Sequence, residues 1–272
     1  MRVATWNMGY WSYRARHEDA WRWILDHLNP DVLLAQECLP PAWLGRDHAV
    51  VFDRAYPSGN QTWGSAVVSR LPATPRRLVD VDDWFRLVPM TVPGKNGIAG
   101  IHRADGWITA AEVVTPGLGP VLTLSVHSPA YPLEDSRLTG IDISGMKLKR
   151  NPHLWLLDVL FYFLRSRLGS PLLVGGDFNY SRLLDDRNGE GGNAEFFDRV
   201  ASEGFVSLHR RFHEQDEQTY FHPRRRKHQL DYLYSSASVG EHATACSVTP
   251  YEQVREFSDH APLVCDFDSR LA

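Results

Sequence analysis

The stretch Pro171-Leu172-Leu173-Val174-Gly175-Gly176-Asp177-Phe178-Asn179 decides the fold. Its apolar run is short, bounded by turn residues, and reads as a buried strand. Gly, Asp and Asn favour tight turns, so the strand closes on a turn that displays a carboxylate and an amide. Strand ends are where layered α/β folds build their sites. The pattern recurs along the chain. Asn7 closes Ala4-Thr5-Trp6, Glu37 closes Leu33-Leu34-Ala35-Gln36, His127 follows the run Val121–Val126, and Asp231 sits in Leu230-Asp231-Tyr232. Ser258-Asp259-His260 leads into a last apolar run, Ala261–Phe267. Strand ends that all deliver carboxylate, amide or imidazole imply one polar pocket, and an oxygen-rich pocket suits a hard divalent cation.

Strands are expected over Arg2–Trp6, Asp31–Ala35, Gly64–Ser69, Trp107–Val114, Val121–Val126, Pro171–Val174, Gln229–Tyr234 and Ala261–Phe267. A helix is expected over His17–Leu28, where Trp21, Ile24, Leu25 and Leu28 share a face, and Asn29-Pro30 stops it. Pro152–Leu168, ended by Gly169, and Ala194–Glu203, ended by Gly204, complete the helices. Strands follow one another with few helices between them. That departs from strict βαβ alternation and fits two packed sheets with helices outside. Regions 38–62, 128–151 and 181–193 read as loops, and long loops near strand ends usually carry recognition.

The 272 residues show no repeat, low-complexity tract or linker, so one domain is expected over 1–272. Hydrophobic residues make up 43% and charged residues 23%, which permits a sizeable core. The net charge of -4 excludes a surface coated in positive charge, so any contact with nucleic acid must use local patches. The cysteines Cys38, Cys246 and Cys265 are odd in number and lack CxxC spacing. They argue against a disulfide framework or a cysteine zinc site and for a reducing compartment. The start Met1-Arg2-Val3-Ala4-Thr5-Trp6-Asn7 lacks the apolar stretch of a signal peptide. The most apolar helical segment, Leu154–Leu164, contains Asp158 and is too short to span a bilayer. A cytoplasmic protein without membrane insertion is expected, and nothing marks an obligate protein partner.

Taken in order from Ala4-Thr5-Trp6-Asn7 to Ser258-Asp259-His260-Ala261-Pro262, the motifs resemble the endonuclease/exonuclease/phosphatase superfamily. This group includes DNase I-like nucleases, exonuclease III-like repair enzymes, inositol phosphatases and neutral sphingomyelinases. The resemblance spans nearly the whole chain and rests on the order and spacing of the motifs rather than on any one of them. It implies an α/β fold, a four-layered sandwich of two packed mixed or antiparallel sheets flanked by helices. It also implies phosphoester hydrolysis dependent on Mg2+ or Mn2+. In such an enzyme the cation neutralises phosphate charge and polarises a phosphoryl oxygen.

By the same resemblance Glu37 anchors the metal, with support from Asn7 and Asp259. Asp177 aligns and deprotonates the attacking water, a task for a carboxylate tuned by its pocket. Asn179 holds the nucleophile or a phosphate oxygen. His260 sits against the scissile phosphate, and Asp231 orients it; a carboxylate behind an imidazole fixes its tautomer and favours its charged form. His127 matches the second histidine of DNase I-like and phosphatase-like members, where exonuclease III-like members usually carry tyrosine. It would serve as acid for the leaving oxygen or as a phosphate donor. Each residue also has a plain structural reading: a solvated carboxylate for Glu37, a turn for Gly175–Asn179, a strand-end hydrogen bond for Asp231, and packed or loop histidines for His260 and His127. One departure stands out. DNase I-like enzymes place a carboxylate before the strand that corresponds to Gly64–Ser69, whereas this chain reads Asn60-Gln61-Thr62-Trp63. Either an amide orients His127 or the ring is held differently.

For substrate, Arg224-Arg225-Arg226-Lys227 and the cluster of Lys147, Lys149 and Arg150 are candidate phosphate grips. Tyr131, Tyr180 and Tyr220 are candidate base-stacking rings. Trp21, Trp23 and Trp155 lie among apolar residues and read as packing. The leading expectation is a nuclease acting on DNA or RNA. The alternatives are a phosphatase or phosphodiesterase of a small or lipid-derived phosphate, and a catalytically silent binding module on the same scaffold.

Overall fold

The computed structural model describes residues 1–55, 62–87, 90–94, 97–101, 106–129, 138–146, 155–184, 192–223 and 228–268. Its strands are β1 (Arg2–Asn7), β2 (Val32–Cys38), β3 (Ala49–Arg54), β4 (Gly64–Ser69), β5 (Ala73–Arg76), β6 (Met90–Gly94), β7 (Gly97–Ile101), β8 (Ile108–Thr115), β9 (Gly119–His127), β10 (Leu172–Asp177), β11 (Val206–Ser207), β12 (Asp231–Ser235), β13 (Ala243–Val248) and β14 (Leu263–Phe267). The helices are α1 (Tyr10–Tyr13), α2 (His17–Trp23), α3 (Val79–Leu87), α4 (Trp155–Leu164), α5 (Asn193–Ser202) and α6 (Ala237–Gly240).

Side-chain alternation at period two sorts each central strand between two environments. In β1, Val3 faces a core shared with Leu34 of β2 and Leu173 of β10, while Ala4 and Trp6 face Trp21 of α2. In β10, Leu173 points into the shared core, and Leu172 and Val174 pack against Trp155, Leu160 and Phe161 of α4. Two sheets therefore lie face to face, with helices on both outer sides, giving four layers. The first sheet runs β13-β14-β1-β2-β4-β3 and the second β11-β12-β10-β9-β8-β5; β6 and β7 form a separate hairpin. Each large sheet has a parallel pair at its centre, β1 with β2 and β10 with β9, flanked by antiparallel neighbours. The two parallel pairs end on the same side of the sandwich, and that is where the polar residues gather.

Several expectations change in detail. The helix begun at His17 is α-helical only to Trp23, widens to a π turn over Ile24–Leu28, and closes at Asn29 with a left-handed φ of 53°. The region 38–62 is not all loop: it holds a 3-10 turn over Ala42–Arg46 and the edge strand β3, whose half-exposed residues weaken the apolar signal. In α3 the apolar face of Val81, Trp84 and Phe85 is masked in sequence by Asp80, Asp82 and Asp83. The helix expected from Pro152 is described from Trp155 onward and ends in a 3-10 turn at Arg165–Arg167. Trp21 and Trp155 are fully buried, as their apolar surroundings imply. All three cysteines are free and buried. No helix among the described residues is long and apolar enough to cross a membrane.

Gly176 shows how closely the centre is drawn together. Its φ is 152°, and a Cβ there would stand 1.8 Å from the carbonyl oxygen of Val126 on β9. Both the conformation and the space require glycine. Gly176→Ala should cost about 3 kcal/mol of stability, read as a lowered midpoint in urea unfolding. An unchanged midpoint would mean that β9 and β10 separate freely.

Candidate active site

The inner rows of the central strands read apolar along most of their length and turn polar at one end. They run Val3-Thr5-Asn7 in β1, Val121-Thr123-Ser125-His127 in β9, Leu173-Gly175-Asp177 in β10 and Ser235-Leu233-Asp231 in β12. Strand register then fixes the neighbours: Asp177 lies opposite His127 on one side and Asp231 on the other. The second sheet thus delivers a row of imidazole, carboxylate and carboxylate. The first sheet delivers Asn7, whose Nδ2 donates across the sandwich to Asp177 Oδ2 at 2.9 Å and to Glu37 Oε1 at 3.2 Å.

Glu37 reaches this face by a local distortion. Strict alternation would send it outward with Leu33 and Ala35. Between Ala35 and Cys38 the pairing of β2 with β4 shifts register, and Glu37 adopts a φ of 43°. A bulge of this kind re-aims a side chain. Asn179 is also left-handed, at φ 58°. Its backbone N–H donates to Asp177 Oδ1 at 2.8 Å, and its amide donates to the Ser128 carbonyl at 2.8 Å and to Asp177 Oδ2 at 3.2 Å. The turn expected at Gly175–Asn179 and the presentation of a polar group are one structure.

The Ser258–His260 segment is tied down at each point. The Ser258 hydroxyl donates to the Asn7 carbonyl at 2.7 Å and accepts the His260 N–H at 3.0 Å. The Trp6 indole donates to the His260 carbonyl at 2.8 Å. The ring of His260 donates from Nδ1 to Asp231 Oδ2 at 2.8 Å. Asp231 is in turn placed by Thr219, whose hydroxyl oxygen accepts the N–H groups of Leu230 and Asp231. The ring of Tyr220 lies 4.8 Å from that of His260. A cleft of about 280 Å³ opens here, and Asn7, Glu37, Asp177, Asn179, Asp259 and His260 all line it.

The two histidines of the site are in opposite states. Burial works to lower the pKa of His260, but Asp231, Asp177 and Asp259 together outweigh it and set the value at about 10. At His127 burial outweighs the pull of Asp177 and Asp231 and lowers the pKa, which favours the neutral ring. Its Nδ1 has no hydrogen-bond partner among the described residues, and the indoles of Trp63 and Trp107 lie 5.9 and 5.3 Å from its centre. Asn60 and Gln61 before β4 lie outside the described residues; among those described, the ring is cradled by two indoles. Nε2 of His127 faces Glu37 Oε1 at 3.5 Å and Asp177 Oδ2 at 3.8 Å. Burial raises Asp177 to about 6, against the pull of His260, and raises Glu37 against its hydrogen bond from Asn7.

Asp177, Asp231 and His260 present atoms within 4.8 Å of one another. A charged imidazole bonded to Asp231 is a poor metal ligand, however, so this triplet is not where a cation belongs. Glu37 and Asp259 line the same cleft and could hold a cation there. Glu37, partly exposed, and the buried Asp177 share one amide donor, and a divalent ion beside Glu37 would offset the local negative charge. The Gly9 N–H donates to Asn7 Oδ1 at 3.0 Å, which turns the amide nitrogen toward the carboxylates. Asn7 thus bridges Glu37 and Asp177 through its amide nitrogen.

Other expected residues fall elsewhere. Tyr180 is 5% exposed and packed in the core under α4 and α5, so its ring offers no face to a base. Arg224, Arg225, Arg226, Lys227, Tyr131, Lys147, Lys149 and Arg150 lie outside the described residues. The cradle of Trp63 and Trp107 and the support from Thr219 were not foreseen. The only sequence signal for the cradle was the absent acid before Gly64.

Residues 4–260 match the Endonuclease/Exonuclease/phosphatase family. Among solved structures, an AP endonuclease from Archaeoglobus fulgidus superposes with a TM-score of 0.68 at 19% identity, covering 98% of this chain and 99% of that one. A 3′ phosphatase from Neisseria bound to product DNA hairpin gives 0.64 at 19% identity over 98% and 99%. An AP endonuclease from Leishmania major gives 0.65 at 16% identity over 97% and 86%. These likenesses bear on the fold. No curated protein matches the chain by sequence.

The electrostatics give a pH test in metal-free protein. The charge on His260 stabilises the fold fully below its unfolded value of 6.5, and that contribution is lost as pH rises toward about 10. Asp231→Asn removes the principal partner. The stability advantage of wild type over Asp231→Asn in urea unfolding should be greatest at pH 6.5 and below. It should shrink steadily toward pH 10. A gap independent of pH would show that His260 is not held charged.

Proposed function

The chain belongs to the Endonuclease/Exonuclease/phosphatase family, and from that premise we propose that it is a divalent-metal-dependent phosphodiester hydrolase acting on nucleic acid. The observation that carries this reading is a base and a charged donor facing each other across the cleft. Asp177 Oδ2 and His260 Nε2 stand 3.9 Å apart, too far for a direct hydrogen bond and suited to a reacting group between them.

Asp177 acts as general base toward water. Its pKa of about 6 lies near neutral pH, where a base is both ionised and able to hold a proton. Asn7 and Asn179 fix the carboxylate by donating to its oxygens, so its orientation is set before substrate arrives. His260, kept charged by Asp231, donates from Nε2 to a phosphate oxygen as negative charge builds there. His127, neutral and wedged between indoles, serves as a fixed Nε2–H donor rather than as an acid. Glu37 and Asp259, supported by Asn7, would hold magnesium or manganese, which when bound would offset phosphate charge and polarise a phosphoryl oxygen. Nucleic acid as the substrate class is supported by the company of the fold, which includes AP endonucleases and a phosphatase bound to a DNA hairpin.

Circular and linear duplex DNA, single strands, an abasic duplex, RNA, inositol phosphates and sphingomyelin, each with magnesium, manganese or chelator, form the decisive panel. Hydrolysis of a polynucleotide that stops with chelator is expected. Cleavage confined to inositol phosphates or sphingomyelin would move the assignment to a small or lipid-derived phosphate, and no hydrolysis at all would favour a silent binding module. Asp177→Asn and His260→Gln should each lower kcat by about 10²–10³-fold or more while the protein stays folded by circular dichroism. Full turnover in either variant would overturn its role. Glu37→Gln should raise the magnesium concentration for half-maximal rate by roughly tenfold or more; an unchanged titration would remove Glu37 from the metal.

A further inference from the structure

A second group of metal-ligating side chains lies outside the cleft, just beyond β11. The chain turns back on itself after His209, with the N–H groups of Phe212 and His213 both donating to the His209 carbonyl. That single turn stacks the imidazoles of His209 and His213, with centres 4.3 Å apart and planes 11° from parallel. Glu217 then brings a carboxylate alongside, with Oε2 3.3 Å from His209 Nε2. One ligand atom from each of the three residues lies within 4.8 Å of the other two.

His209 Nε2 is engaged only with Glu217, itself one of the three ligands, and His213 keeps one ring nitrogen clear of other bonds among the described residues. His213 donates from Nε2 to the Cys246 carbonyl at 2.6 Å, which fixes the tautomer and leaves Nδ1 with a free lone pair. A backbone carbonyl behind the remote ring nitrogen is the usual support of a metal-bound histidine. The side chain of His209 is 1% exposed, and its Nδ1 has no hydrogen-bond partner among the described residues. Two imidazoles pressed face to face are compatible only if they are not both charged, and burial favours the neutral ring in His209. Neutral imidazole is the form that binds metal.

We propose that His209, His213 and Glu217 form a second cation site, distinct from the catalytic cleft, selective for a zinc-type divalent ion over magnesium. Imidazole-rich sites favour zinc and its late first-row neighbours, whereas magnesium requires oxygen ligands. Zinc bonds of about 2.0–2.2 Å would draw the three ligand atoms closer together. Glu217, 47% exposed, is the side chain free to make that adjustment. Water completes the coordination. The ion would bear on the cleft through the backbone. The Glu217 N–H donates to Gln229 Oε1, and two residues further on Thr219 holds the Leu230 and Asp231 N–H groups. Zinc at this point would pin the segment that positions the carboxylate behind His260.

The test uses the full chain, stripped with chelator and returned to millimolar magnesium, with zinc as the probe. Zinc retained after gel filtration and the zinc-induced shift in melting temperature are both measured. Wild type and Glu37→Gln should each retain one zinc per chain and melt higher with it. Glu217→Gln should bind at least ~tenfold more weakly with zinc-free melting unchanged, and His213→Asn should lose the ion. Glu217→Gln alters an exposed side chain and keeps the test decisive if His213→Asn fails to fold. Zinc binding that survives Glu217→Gln at full strength, binding lost in Glu37→Gln, or no retained zinc in wild type would each overturn the site.

Discussion

One buried amide holds the chemistry of this protein in register. Asn7 ends the central strand of the first sheet, Asp177 ends the central strand of the second, and the bond between them joins the layers where they open to solvent. A hydrogen bond to a charged acceptor contributes about 1.5–3 kcal/mol, and leaving such an acceptor buried without its donor costs more than an exposed loss. The amide also donates to Glu37, so two carboxylates that would otherwise repel share one donor. Its own orientation is not free, because the Gly9 N–H takes the oxygen. The same strand end receives the Ser258 hydroxyl on its carbonyl. Shifting β1 by one residue would move all of these partners together. The apolar sandwich and the polar site are therefore two ends of one register.

How far the sequence discloses this follows from the period of a strand. The residues Asn7, His127, Asp177 and Asp231 are legible because each continues an inner row by twos from apolar positions, and β10 starts one residue later and ends three residues later than its apolar run places it. The helices that cover hydrophobic faces are legible for the same reason at helical spacing. Edge strands are not. β13 reads Ala-Thr-Ala-Cys-Ser-Val, half of it exposed, and has no apolar run to find. Glu37 was picked out by its place at the strand end, but its means of entry, a left-handed residue in a bulge, breaks the alternation and has no local signature. Tyr180 fails the other way: a tyrosine beside the site in sequence is carried into the core by the turn that displays Asn179. Contacts between distant segments, such as Trp63 and Trp107 around His127, depend on the packing of one sheet on the other and cannot be seen in either stretch alone.

Two histidines at opposite charge within one cleft need different surroundings, and the structure supplies them by different means. His260 has a carboxylate bonded to Nδ1; among the described residues His127 has aromatic rings around it and no acceptor at Nδ1. The contrast divides the labour. A ring held charged near pH 7 is a donor with full electrostatic effect on a phosphate. A ring held neutral donates without adding repulsion to a nearby cation. If both were charged, the space beside Glu37 would be less favourable to a divalent ion; if both were neutral, the phosphate would lack its cationic partner. The missing acid before β4 is thus consistent with a site that keeps its second histidine uncharged.

Glycine sets how dry this centre is. A Cβ at Gly175 would meet the side chains of Leu233 at 2.4 Å and Leu34 at 2.8 Å, and Gly176 approaches the backbone of β9 still more closely. These two positions let the sheets and strands close in directly behind Asp177. Burial is what raises that carboxylate toward neutral pH, so the glycines act on its proton affinity without touching the proton. The backbone gives up conformational freedom there, and also at Glu37 and Asn179, where left-handed residues cost of order 1–3 kcal/mol each. All these positions lie within two residues of a side chain that lines the cleft. Strain and close approach are concentrated where the carboxylates must be held dry and aimed, while the ordinary alternation of the strands carries the stability that tolerates them.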